Sequence, residues 1–276
     1  MALRPSGFIP FVLACSLAST AAEAAGAPCG KNISLAYYEL GALYQRMPNG
    51  QHTGIDRDVV DELAKRSGCT FDTRLESRVR IWTLLETGKL DATVSGIASP
   101  ERLKFAQFIP YFTARNRLIL HREQAAGIVD LNAFLNNPAL RIGVVKGFRH
   151  GPTYDAWLDR LRTMGRVQEI ADIDEVYRLF RHQRIDAMLS LPTAFVPLLK
   201  RYALEDKVVT LDWVPNEQLV HELVLSRSQV SSQSFQLLNV TLHKMRSDGT
   251  LLRIYNRHIG ADYARQMLND LPDSPQ

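Results

Sequence analysis

Ser99-Pro100-Glu101-Arg102 is a chemically odd row of residues. Ser is a favoured helix N-cap, Pro suits the first helical position, and Glu complements the positive end of the helix dipole. The spacing therefore predicts a helix start. A capping box needs Glu or Gln where Arg102 stands, and a cation in the first turn opposes the dipole by about 0.3–1 kcal/mol. An anion held between the arginine fork and the free N–H groups of the helix start would offset that cost. The competing reading pairs Arg102 with a carboxylate on the surface.

Other chemistry is thinly represented. Glu39, His150 and His221 are the acid–base candidates, and none is paired with a nucleophile. There is no Gly-x-Ser-x-Gly, phosphate loop or His-Glu-x-x-His motif. The seven histidines show no metal-ligand spacing, so neither a metal nor a cofactor is expected. His150 and His221 are read as structural, and Trp82, next to Ile81, as core. Charge is dispersed at a net +4 with no basic tract laced with aromatics, which argues against a nucleic-acid partner.

The elements that must position these groups alternate. Ile33–Tyr37 reads as a strand. A helix from Asp56 or Arg57 turns Val59, Val60 and Leu63 inward and stops at Gly68. Thr70–Leu75 is the next strand, a helix with Ile81, Leu84 and Leu85 ends at Gly88, and Ala92–Ser95 is a short buried strand. This β-α-β-α-β order calls for right-handed crossovers and a parallel sheet, with its crevice beyond the carboxyl ends of the strands. The loops 37–44 and 96–102 meet there. A second unit repeats the pattern: strands at Arg141–Val145, Val167–Ile170 and Ala187–Ser190, helices at Pro152–Met164, Asp174–Arg181 and Thr193–Tyr202. A strand at His221–Ser226 and two helices follow, and Pro272 and Pro275 mark a frayed end.

The chain opens as an export signal over residues 1–25: Arg4, an apolar run from Phe8 to about Thr20, then small residues. Val12-Leu13-Ala14-Cys15 offers a lipoprotein box as an alternative, but one that cuts the apolar run very short. Signal removal takes one charge of each sign, Arg4 and Glu23. Cys29 and Cys69 remain, each close to the start of one of two strands that neighbour each other in a doubly wound sheet. A disulfide between them is expected in an oxidising compartment, stabilising by about 3–4 kcal/mol in the chain-entropy model; two separate thiols are the alternative.

Gly54-Ile55-Asp56-Arg57-Asp58-Val59, Gly88-Lys89-Leu90-Asp91-Ala92, Pro100-Glu101-Arg102, Pro110-Tyr111-Phe112 and Gly143-Val144-Val145-Lys146-Gly147 occur in family-like order. The chain resembles the bacterial extracellular solute-binding proteins of the polar amino-acid type, family 3, over roughly residues 31–260. The resemblance implies an α/β, two-lobed type II periplasmic-binding-protein fold, each lobe a doubly wound, mostly parallel sheet, joined by two hinge strands. Lobe one would be 30–119 plus 222–265 and lobe two 120–221, with 266–276 a flexible tail. It implies a periplasmic protein, monomeric, that captures a small anionic or zwitterionic ligand by hinge closure for an ABC permease in the inner membrane. A sensor for a membrane receptor, or a lyase on the same scaffold, are the alternatives.

Carried over, Arg102 matches the arginine that grips an α-carboxylate, and Ser95, Gly96 and Ser99 match the polar loop beside it, here one residue short. Gly147 matches the second lobe's anion-facing turn, with Phe148-Arg149-His150 in place of small hydroxyl residues. The family's second-lobe acid falls near Leu191, where no acid stands, next to Ser190. Its aromatic platform falls near Arg78. From the residues themselves, Tyr37, Tyr38 and Tyr44 read as core or rim packing with one of them, taken as Tyr38, lining the cleft, and Glu39, just past the first strand, is a candidate to receive an ammonium group. The site is thus short of one negative charge and rich in candidate cations, Arg78, Arg80, Arg102 and Arg149; the alternative for Arg78 and Arg80 is a helix-start surface position paired with Glu76. Buried unpaired charge is expensive, which favours a ligand with more than one anionic group.

Overall fold

The computed structural model describes residues 1–2, 28–47, 49–269 and 271–272. The segment expected as an export signal, apart from its first two residues, lies outside the described residues.

In chain order the elements are β1 (Ile33–Tyr37), β2 (Gln45–Arg46), β3 (His52–Thr53), α1 (Ile55–Ser67), β4 (Phe71–Leu75), α2 (Arg78–Glu86), β5 (Ala92–Gly96) and β6 (Ala106–Ala114). Then come β7 (Arg117–His121), α3 (Leu131–Asn136), β8 (Ile142–Val145), α4 (Pro152–Thr163), β9 (Val167–Ile170), α5 (Ile173–Arg181) and β10 (Ala187–Ser190). The chain closes with α6 (Pro192–Arg201), β11 (Val208–Leu211), β12 (Leu219–Ser226), α7 (Ser232–Ser247), α8 (Thr250–Ile259) and α9 (Ala261–Gln266).

Two five-stranded sheets carry the fold, ordered β4-β1-β5-β12-β6 and β11-β7-β10-β8-β9. In the first, β1 is parallel to both β4 and β5, and β12 runs antiparallel between β5 and β6. In the second, β8 is parallel to β9 and β10, and β7 runs antiparallel to β10 and β11. Each sheet is therefore mostly parallel with one reversed strand. The chain crosses between sheets twice, from Ala114 to Arg117 and from Leu211 to Leu219.

Local sequence explains the helices. In α1 the buried face is Ile55, Val59, Val60 and Leu63; Asp56 and Asp58 occupy the first turn and Lys65 and Arg66 the last, matching the dipole at both ends. Gly68 ends it in the left-handed conformation, its N–H bonded to Ala64 O. Asp172 caps α5 by accepting from Glu175 N. Cys29 and Cys69 form the expected disulfide, with Cα atoms 5.3 Å apart.

One expectation needs correction. Ser99 to Arg102 does not open an α-helix. Only a 3₁₀ turn forms at Arg102–Lys104, because β6 begins at Ala106 and leaves no room for more. The bank of free helix N–H groups expected beside Arg102 is therefore missing. Within the expected tail, Met267 O accepts from Thr113 N, Asn269 O from Thr113 Oγ1 and Leu271 O from Arg246 Nη2.

Candidate functional site

The site lies where loops from the two sheets touch. Leu40–Tyr44, after β1, approaches the start of α6: Ala42 N donates to Thr193 O at 2.7 Å. A Cβ on Gly41 would come within 2.6 Å of Ala194 Cα, so only glycine permits this approach. Arg201 Nη2 reaches Gln45 Oε1 at 2.6 Å across the same gap.

Beneath that contact is a buried polar network. Asp56, from α1, accepts from Ser95 Oγ at 2.8 Å and from Tyr111 Oη at 2.6 Å. Ser95 N donates to Tyr111 Oη, and Tyr38 Oη donates to Ser95 O. Ser95 holds φ 48°, a conformation costly for a residue with a side chain, and these bonds pin it there. Burial pushes the Asp56 carboxyl up to about 7, against the pull of its two hydroxyl donors and of Arg78. At Gly96 a Cβ would lie 2.2 Å from Val224 Cγ2 and 3.3 Å from the Trp82 ring, which lets the indole pack close to β5.

Arg102 lies in the gap between the sheets. Its guanidinium covers the Trp82 ring at 3.6 Å; Nη1 donates to Ile97 O at 2.8 Å and Nη2 to Gly147 O of the second lobe at 3.2 Å. Burial, then the charges of Arg78 and Arg149, lower its pKa to about 9, so it remains a cation at neutral pH. Arg78 opens α2 and is buried between the rings of Tyr38, at 4.3 Å, and Phe148, at 4.6 Å. Its Nε, Nη1 and Nη2 have no hydrogen-bond partner.

His150 and His221 complete the cluster. His150 Nδ1 meets Asn116 Oδ1 at 3.2 Å, while Nε2 is unpartnered. His221 stacks on Phe112 at 4.4 Å, with both ring nitrogens unpartnered. Burial, and after it the Arg78 charge, pushes both imidazoles down to about 3.

Of the residues singled out from sequence, Arg102, Arg78, Tyr38, Ser95, Gly96, Gly147 and Phe148 come together. Ser190 sits at the second-lobe wall, its Oγ shared with Tyr177 Oη at 3.1 Å. Ser99 stays at the rim, donating to Glu101 Oε2. Arg149 is exposed, 3.9 Å from Asp155. Arg80 is outside the cluster: two residues on from Arg78 it points the other way around α2, exposed and paired with Glu76 at 3.2 Å. Glu39 turns toward β2 and accepts from Arg46 N. Trp82, His150 and His221, read from sequence as structural, all face the cluster, and their polar character was the signal available. Glu222 was missed. It is buried on β12, accepts from Ala98 N at 3.2 Å, and burial raises it to about 7.

The open space lies to one side of the cluster, lined by Ser99, Arg149 and Glu222 rather than by Arg102 or Arg78. A cleft of about 740 Å³ runs between Ile97–Glu101, Arg149–Asp155 and Gln218–Glu222. Around Phe148, Leu189 and Leu191 only about 10 Å³ is free. Among the described residues no group of three or more His, Cys, Asp or Glu could hold a metal, and no helix is long and apolar enough to cross a membrane.

Two mostly parallel sheets joined by two crossings, with a basic cluster between them, define a two-lobed type II periplasmic-binding-protein fold. The chain belongs to the bacterial extracellular solute-binding proteins, family 3, whose family model matches residues 40–261. It is 22% identical over 233 residues to the probable amino-acid-binding protein YxeM of Bacillus subtilis (strain 168), covering 81% of this chain and 84% of that one. A solved ancestral arginine-binding protein bound to arginine superposes with a TM-score of 0.70 at 19% identity, covering 83% of this chain and 98% of that one. An ancestral amino-acid-binding protein, described as a precursor of cyclohexadienyl dehydratase, gives 0.69 at 22%, covering 83% and 95%. At these identities the two solved structures speak for the fold.

Proposed function

We propose that this is an exported, periplasmic solute-binding protein that traps a small carboxylate, an amino acid or related organic acid, between its lobes and delivers it to an ABC permease. The observation that carries the reading is Arg102, a cation fixed on Trp82 and reaching one backbone carbonyl from each lobe. A ligand carboxylate that replaces Gly147 O as the partner of this guanidinium trades a neutral acceptor for a charged one in the same fork. Because such a ligand touches both lobes only when they are together, binding favours the closed arrangement over an open one. The crossings at 114–117 and 211–219 are the segments where the chain can bend.

Titration calorimetry of the protein with a panel of amino and organic acids tests this. Saturable binding of at least one acid is expected, and Arg102→Ala should weaken it about 10- to 150-fold, the equivalent of one charge-assisted bond of about 1.5–3 kcal/mol. A folded protein that binds none of them refutes the reading.

A further inference from the structure

Arg78 has lost its water without gaining a well-directed acceptor: the nearby Tyr38 hydroxyl, which feels it, spends its own proton on Ser95 O. Its side chain is 4% exposed and its three nitrogens are unpartnered. The Tyr38 and Phe148 faces offset part of the loss, but a guanidinium has donors only and ring faces supply no lone pair to them. Its place at the start of α2 also sets it against the helix dipole. Asp56, which feels its charge, is committed to Ser95 and Tyr111.

The neighbours share the deficit. The Phe148 ring lies 4.9 Å from His150 and 6.5 Å from His221. Around this one ring stand six unpartnered buried nitrogens: three on Arg78, one on His150 and two on His221. The second-lobe wall here is Leu189, Ser190 and Leu191, which offers no carboxylate. An acceptor that takes the place of the phenyl ring would meet all three side chains, and an imidazole that gains a proton there becomes a donor at both nitrogens.

Building on the cleft as the ligand site, we propose that the ligand carries two anionic groups, the first held by Arg102 and the second by Arg78 with His150 and His221, the Phe148 ring giving way to it. The second group is a carboxylate or a phosphate; both accept from a planar guanidinium fork.

The test compares matched pairs by calorimetry on the folded protein at low salt: glutamate with glutamine, succinate with butyrate, and O-phosphoserine with serine. At least one dianion should bind 10-fold or more tightly than its partner, and which pair shows the preference separates carboxylate from phosphate. Arg78→Met should bring that ratio to about 1, and Arg78→Lys, which keeps the charge, should restore part of it. Equal affinity within every pair, or an unchanged ratio in Arg78→Met with the fold intact by circular dichroism, overturns the two-anion inference and leaves the cleft reading standing. Failure of the folded protein to bind any of the six overturns both.

Discussion

Arg78 and Arg166 are 4% and 7% exposed, and each lies against an aromatic ring. Their polar surroundings are opposites. Arg166 donates from Nε to Leu140 O, from Nη1 to Leu135 O and from Nη2 to Phe134 O, each at 2.8 Å. Phe134 and Leu135 belong to α3, whose last carbonyls have no partner within the helix, so the guanidinium caps a helix end and fixes the turn into β8. Arg78 stands at a helix start, where N–H groups rather than carbonyls are in surplus, and it finds no carbonyl or carboxylate to donate to, only the nearby Tyr38 hydroxyl. The same residue type at the same depth thus does structural work in one lobe and is held ready in the other. What separates the two is whether the backbone nearby has carbonyls to spare.

The largest effect expected from this contrast is on stability at Arg166. Arg166→Met leaves the buried carbonyls of Leu135 and Leu140 without this donor, while Phe134 O keeps Asn137 N–H, and should cost about 4 kcal/mol through two unsatisfied acceptors and three lost charge-assisted bonds. Urea titration reads it directly. Affinity for any ligand of the cleft should not change, since Arg166 precedes β9 while Gly147, which Arg102 contacts, follows the other end of its parallel partner β8. A loss under 1 kcal/mol would mean that satisfied and unsatisfied buried arginines cannot be told apart in this protein, and the comparison would break.

Asp56 sharpens it from the other side. If this carboxyl were the counter-ion of Arg78 it would be held low, yet burial lifts it from 3.8 to about 7. The native state then binds the proton more tightly than the unfolded chain, so this group's contribution is fully present below about pH 4 and is lost as pH rises through 7. Asp56→Asn removes that loss. Unfolding free energies of the variant and the parent, from urea titrations at pH 4 to 7.5, should shift in the variant's favour as pH rises, by on the order of 4 kcal/mol across the window. The histidines work oppositely, since His150 and His221 are lowered to about 3 and destabilise the fold as pH falls below about 6.5. They are common to both proteins and cancel in the difference. A difference that moves the other way would make Asp56 an ion-pair partner of Arg78.

The contrast also shows what could be read from the chain beforehand. Helices with a strong apolar face and clear ends, such as α1 with Gly68, and strands bounded by turns, such as β5, follow from local pattern. The edge strand β6 escapes because Pro110 interrupts the run, and that proline is tolerated where the β6–β12 register shifts. The short helix α3 escapes although Asp130 caps its start locally, accepting from Ala133 N: its C-terminal carbonyls are held by Arg166, thirty residues on in sequence, and no local signal carries that bond. At the site, the fork of Arg102 was legible from its misfit with the helix start, although the helix itself is only a 3₁₀ turn. Arg78 and Arg80 look alike in sequence; only the phase of α2 decides that one is buried and the other meets Glu76. The Phe148, His150 and His221 cluster depends on two loops and a returning strand, and its members lie up to 73 residues apart, which no window along the sequence spans.

The smallest effect is the one most specific to Arg78. Removing a satisfied buried cation should destabilise, but removing an unsatisfied one should do the reverse. Arg78→Met places a side chain of similar length and no charge between the Tyr38 and Phe148 rings, where its sulfur can contact the ring edges. The loss of two cation–π contacts costs about 1–2 kcal/mol together if each is only partly desolvated. The desolvation penalty that disappears is several kcal/mol for a buried ion. The balance favours the variant by about 1–2 kcal/mol, visible as a rise in the urea midpoint with an unchanged slope. Added dianionic ligand should then reverse the order, because it stabilises the parent by mass action far more than the variant. A variant that is less stable than the parent without ligand would show that the ring faces alone satisfy Arg78, and the case for a second anion would lose its energetic basis.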